Sequence, residues 1–243
     1  MSTRRTVVMV VMVVMLGVLG TGMYLWLGGS RDQAEEFVAW YVSRPVSTVD
    51  GLTLPGARVT VVEFVDVRCA ACQDSRATLD RVLPAVTAGD PDAVRVLVRD
   101  YPIEPSCNRA LAERVRENER TEAAPGSRQP RPKWQPHSGS CAGAVAVRLA
   151  DERGKAGDMR RWLFSQTGAL DQETVERAAR QVGGVTDFAA RFDGVLEQVK
   201  ADTELAARAG VSSAPTMFIN GRRIEGVLKD EFLRAALEYE LRR

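Results

Sequence analysis

The sequence predicts an α/β domain with a helical block set into it, preceded by an apolar N-terminal segment. Three observations carry this. Residues 59–67 form a run dense in β-branched side chains, residues 71–88 repeat their apolar positions with helical spacing, and residues 93–98 form a second β-rich run. That order is a β-α-β unit and implies parallel strands. Helical periodicity then dominates residues 141–209, and a strand pair with a final helix closes the chain over residues 216–241.

The N-terminal segment comes first. Arg4 and Arg5 precede an uncharged run from Thr6 to Gly29, rich in Val, Met, Leu and Gly. About 20 such residues span a bilayer as a helix. Residues 1–29 are therefore expected to be a transmembrane anchor, with Tyr24 and Trp26 at the interface and the two arginines on the cytoplasmic side. A cleaved secretory signal is the alternative, with Gly20-Thr21-Gly22 as a weak cleavage site. Residues 30–57 read as a stalk. It has a short helix bearing Phe37, Trp40 and Tyr41 on one stripe, a stop at Pro45, and an edge strand or hairpin among the turn signals Asp50-Gly51 and Pro55-Gly56. The globular domain is placed at residues 58–243.

Within that domain Val59–Val67 suits a central strand buried on both faces. Alternation puts Glu63, Val65 and Val67 on one side, and Phe64 and Asp66 on the other. The following helix carries Leu79, Val82, Leu83 and Val86 inward, with Pro84 expected to kink its middle. The helical insertion is placed at about residues 107–209, with breaks at Gly154, Gly157 and Gly183-Gly184. Within it, residues 113–139 are polar, and the second half of that stretch carries several prolines and reads as an exposed loop. Asn220-Gly221 predicts a tight hairpin between residues 216–220 and 222–226.

Composition limits the function. Lys plus Arg total 33 and Asp plus Glu total 32, so no net field favours nucleic acid. One histidine and four cysteines leave little material for a metal site or a disulfide scaffold. The informative feature is Cys69-Ala70-Ala71-Cys72 at the junction of strand and helix. There the first thiol lies by unpaired N–H groups and the positive end of the helix dipole, which favour the attacking thiolate. The second thiol lies one turn on, within disulfide reach. Cys69 thus reads as the nucleophile and Cys72 as the resolving thiol. Half of a zinc site, with Cys107, His137 and Cys141 as distant further ligands, and an inert disulfide are the bland alternatives. A glutamate at position 63 in so apolar a strand is costly unless it is used or paired; a strand-end surface acid is its bland alternative.

Glu63, six positions before Cys69, and the segment Gly210-Val211-Ser212-Ser213-Ala214-Pro215-Thr216-Met217-Phe218-Ile219-Asn220-Gly221 together resemble the thioredoxin superfamily, and within it the DsbA-like extracytoplasmic branch. The resemblance covers about residues 59–243. It implies a thioredoxin-like fold, with Pro215 in a cis peptide facing the cysteines and Ala214, Pro215 and Thr216 forming the substrate-binding edge. It also implies that Glu63 is a buried acid moving a proton to or from Cys72. The sequence departs from the family pattern at Arg68, Ala70 and Ala71, which are the residues expected to tune the redox properties. Cys107 and Cys141 resemble a pair found in some bacterial members, so a structural disulfide closing the insertion is implied, with a second redox pair as the alternative. His137 reads as a loop residue.

The function so implied is a membrane-anchored thiol–disulfide oxidoreductase acting on protein thiols and disulfides. It would sit in the bacterial inner membrane facing the periplasm, or be secreted there after signal cleavage. It would need a membrane or soluble redox partner but no metal or organic cofactor. Oxidation is slightly favoured, with a reductase or isomerase in the same class. A tethered binding module without catalysis and a Cu(I) carrier belong to other classes.

Overall fold

The computed structural model describes residues 32–122 and 136–243. The expected membrane helix and the proline-rich loop at residues 123–135 lie outside the described residues. Among the described residues no helix is long and apolar enough to cross a membrane. The chain divides into two units between Arg44 and Pro45. The described part of the first is the helix α1 (residues 32–43), where Phe37 meets Trp40 and Tyr41 with ring centroids 5.5 and 6.3 Å apart.

The second unit is built on a four-stranded sheet of order β2-β1-β3-β4. Strands β1 (Val59–Val65) and β2 (Val94–Asp100) are parallel, joined by the helix α2 (Ala70–Val86). Strand β3 (Thr216–Ile219) runs antiparallel to β1 and turns through Asn220-Gly221 into β4 (Arg222–Glu225). Asn220 adopts φ +44° and Gly221 φ +81°, the left-handed region that a tight two-residue hairpin demands. All seven residues of β1 are buried, as a strand covered on both faces requires.

One face of the sheet is covered by α2, with α8 (Asp230–Leu241) packed beside it. On the other face Val62, Phe64 and Phe218 pack with Leu205 and Ala206 of α7 (Phe188–Arg208). Between β2 and β3 the chain forms α3 (Arg109–Glu122), α4 (Ser140–Asp151), α5 (Ala156–Ser165), α6 (Gln172–Gln181) and α7. Helices α4–α7 share a core of Val145, Leu149, Met159, Leu163, Val175, Phe188 and Val199. Gly143 allows α4 to approach closely, because a Cβ there would meet Val67 Cγ2 at 2.8 Å.

Three local expectations change. Residues 46–58 form no strand; a single bridge from Val46 to Arg222 replaces the expected edge strand, because the turns around Gly51 and Gly56 interrupt the ladder. Pro84 stands in the last turn of α2 and not its middle, so the proline removes a bond only where the helix is ending. Val67 lies past the end of β1 and packs into the helical core with Cys107 and Cys141, so it does not share the Glu63 face.

A buried ionic cluster ties the helical block to the sheet. Arg148 of α4 donates to Asp100 Oδ2 (2.5 Å) at the end of β2 and to Asp202 Oδ2 (2.5 Å) of α7. Asp202 also accepts from Arg99 Nη1 (3.2 Å) and from the Asp100 N–H (3.0 Å). Burial raises the Asp100 carboxyl to about 6, against the opposing pull of Arg148. Removing one member of such a cluster leaves buried charge without its partner. Asp202→Ala is therefore expected to cost about 3 kcal/mol, read from the urea midpoint; a change below about 0.5 kcal/mol would show that the cluster does not hold the two parts together.

Candidate active site

The site forms where β1 ends. After Val65 the chain turns because the Asp66 carboxylate accepts the Arg68 N–H (Oδ1, 2.6 Å), an Asx-type turn. The Asp66 carbonyl then accepts the Cys69 N–H at 3.2 Å. Cys69 is the N-cap of α2, in an extended conformation (φ −89°, ψ 116°), and Ala70 and Ala71 begin the helix. The Cys69 thiol is thus at the positive end of a 17-residue helix. It is 8 % exposed, whereas Cys72 is 1 % exposed.

The two thiols differ in acidity. The hydrogen bond from Cys72 brings Cys69 down to about 7, against the opposing effects of burial and of Asp66. The same bond pushes Cys72 up, and burial adds to it. Cys72 Sγ also receives the Asp66 N–H at 3.4 Å. One thiol is thereby prepared as a nucleophile at neutral pH and its neighbour is held protonated.

Ala214 approaches from the loop before β3. Its carbonyl oxygen lies 3.7 Å from Cys69 Sγ, and the Ala214–Pro215 peptide is cis. Thr216 begins β3, and its hydroxyl donates to the Ser213 carbonyl (2.7 Å). Val65, Cys69 and Cys72 form a small apolar cluster with Ala71, Val98 and Ala214. The strand pairing of β1 with β3 brings together Cys69 and Ala214, which are 145 residues apart in sequence.

Glu63 lies beneath the helix, fully buried, and accepts from Ser75 Oγ at 2.5 Å. Burial raises its carboxyl above the usual range; Ser75 and Arg76 pull the other way. Ser75 carries no motif of its own and is found only through the structure. Arg68 does not point its charge at the thiols. Its guanidinium donates to the carbonyls of Ser138 (2.9 Å), Gln166 (3.2 Å) and Gly168 (2.6 Å). It fastens the α3–α4 and α5–α6 connections to the active-site loop. Cys107 and Cys141 are bonded to each other (S–S 2.07 Å), and both are buried.

Sequence reasoning missed Asp66. It is 1 % exposed, and its carboxylate accepts from Arg68, Ser140 Oγ (2.9 Å) and the Ile103 N–H (2.5 Å), with His137 Nδ1 at 3.1 Å. The signal was available: an acid in an apolar strand needs partners, the argument applied to Glu63.

A dithiol at a helix N-cap facing a cis proline, on a sheet of this order, defines a thioredoxin-fold protein. The DSBA-like thioredoxin domain matches residues 60–238, and the chain belongs to that family of thiol–disulfide oxidoreductases. Among solved structures it resembles a probable DsbA oxidoreductase from Streptomyces coelicolor (19% identity, TM-score 0.52, 75% of this chain and 89% of that one). It also resembles BdbD from Bacillus subtilis in its oxidised form (18% identity, TM-score 0.50, 82% and 98%). At these identities the likeness is one of fold. A Na(+)/H(+) antiporter NhaA from Herminiimonas arsenicoxydans is 27% identical over 188 residues, which is 75% of this chain. The chain spans only 24% of that protein's length.

Two outcomes are expected. Iodoacetamide should modify Cys69 in the reduced protein with a rate rising through a midpoint near 7, while Cys72 stays unmodified over about pH 5–9. Glu63 binds its proton more tightly folded than unfolded, so its contribution to stability is greatest below 4.5 and is lost as pH rises through the raised folded value. Glu63→Gln should then be more stable than wild type at pH 8, with the gap closing toward about pH 4, as read by thermal melts.

Proposed function

We propose that this protein exchanges disulfides with the cysteines of other proteins outside the cytoplasm, through Cys69 and Cys72. The observation that carries the reading is the unequal thiol pair beside the cis Ala214–Pro215 peptide. In the oxidising direction a substrate thiolate attacks the Cys69–Cys72 disulfide at Cys69, and Cys72 leaves. A second substrate thiol then attacks the substrate sulfur of the mixed disulfide. The substrate leaves oxidised, with Cys69 as thiolate and Cys72 as thiol. Glu63 is the acid through which the Cys72 proton passes. Ala214, Pro215 and Thr216 supply the edge against which the substrate chain lies, in the manner of an added strand. Cys107–Cys141 is structural: it joins the segment after β2 to the start of α4 and is too buried for exchange with a substrate.

The protein is anchored in the bacterial inner membrane by residues 1–29, with the domain facing the periplasm, where a membrane or soluble redox partner restores its oxidation state. The uncharged run after Arg4 and Arg5 supports this. Oxidation is the favoured direction, on the resemblance to oxidising members of the family. Reduction or isomerisation at the same dithiol is the alternative direction.

The reduction potential of Cys69–Cys72 in a glutathione buffer decides the direction. A value near about −120 mV marks an oxidase and one near about −270 mV a reductase. Cys69→Ala should abolish catalysed insulin reduction in dithiothreitol, and Cys72→Ala should accumulate mixed disulfides with substrate proteins. A wild-type protein inert in the assay would leave a tethered binding module as the better reading.

A further inference from the structure

We propose that His137 is a positioning residue for the dithiol site, acting through Asp66, and that its protonation is linked to the redox state of Cys69–Cys72. The inference rests on the dithiol reading above and deepens it.

Asp66 is placed between the two partners. On one side its backbone meets both cysteines: its carbonyl accepts from the Cys69 N–H (3.2 Å) and its N–H donates to Cys72 Sγ (3.4 Å). On the other side its buried carboxylate faces His137 Nδ1 at 3.1 Å. His137 is fixed by its own backbone, since its N–H donates to the Ile103 carbonyl (2.8 Å) and its carbonyl accepts from the Ser140 N–H (3.0 Å). The ring is a third exposed, so protons reach it from solvent.

The charges around the imidazole set the sign. Asp66 and Arg68, from the β1–α2 loop, and Cys69, from the head of α2, are the charged groups that act on it. Asp66 raises the His137 pKa most, burial opposes it, and of the smaller effects Cys69 adds to the rise while Arg68 works against it. In return Asp66 disfavours the Cys69 thiolate and His137 favours it. An imidazolium on Asp66 offsets a carboxylate that would otherwise repel the thiolate. The Ala70-Ala71 pair offers no cation of its own, so this one enters from the insertion.

The proton balance follows. A substrate dithiol that reduces the site gives up two electrons and two protons and becomes a disulfide. The Cys69–Cys72 S–S bond breaks, Cys69 is left as thiolate, and one proton goes to Cys72. The new negative charge at Cys69 raises the affinity of His137 for the second proton, and by reciprocity a protonated His137 favours the reduced site.

The chain contains one histidine, so its imidazole C–H resonance is unambiguous. NMR titration of the full chain in reduced and oxidised forms should give a higher His137 pKa when reduced. Cys69→Ser in reductant should give the lower, oxidised-like value. His137→Gln, which keeps an N–H donor without the charge, should raise the midpoint of the 240-nm thiolate absorbance and lower the thiolate fraction at pH 7 by roughly threefold or more. Equal His137 pKa values in both redox states would overturn the proposal. So would a His137→Gln variant with an unmoved thiolate midpoint, whatever its melting temperature. If mass mapping finds that no Cys69–Cys72 disulfide forms, the dithiol reading fails and this inference with it; a disulfide that forms without moving His137 overturns this inference alone.

Discussion

The Asp66 carboxylate joins segments that are remote in sequence: the loop that carries the cysteines, the loop after β2 through Ile103, and the start of α4 through His137 and Ser140. A buried carboxylate is tolerable only when its oxygens are filled, and here four donors fill them. The chain must bring those donors together or bear an uncompensated charge in its interior. That requirement sets the turn after β1, and with it the point at which α2 begins and the thiol it presents. It also explains why the bonded Cys107–Cys141 pair lies where it does. The cross-link holds together the two segments that supply three of the four donors.

A thioredoxin-type sheet can deliver two cysteines without an insertion. Here the insertion is part of the site. Arg68 reaches out of the active-site loop to three carbonyls of the helical block, and Gly143 lets α4 close on Val67. Further away, the Arg148 cluster locks α4 and α7 to β2. The thiols are therefore held from both sides. The sheet and α2 supply the dipole and the buried Glu63, and the helical block supplies the His137 imidazole. Asymmetry between Cys69 and Cys72 follows from this placement. The first is at the helix end and near the surface, and the second is one turn deeper.

Much of the fold could be read directly. The β-rich run before Cys69, the helical period after it and the Asn220-Gly221 turn are local patterns, and each became the element its period implies. The Cys-x-x-Cys spacing and the buried position of Glu63 were legible for the same reason: both follow from residue type within a few positions. The extended segment at residues 46–58 was not, because β-propensity there competes with two turns that only the finished packing resolves.

The role of Arg68 shows where local reading ends. Beside Cys69 in sequence, it suggests a cation acting on the thiol, yet its guanidinium faces carbonyls 70 to 100 residues away. The titratable group that the helical block brings near the thiol is His137, which in the sequence is a polar residue at the edge of a proline-rich stretch. By itself the sequence determined the elements, the dithiol and its helix end, because those depend on short-range periodicity and on the chemistry of neighbouring residues. Only the tertiary structure decided which charges surround the dithiol, because an electrostatic environment is set by distance in space, and Asp66 brings the sulfur atoms near a histidine 68 residues further along the chain.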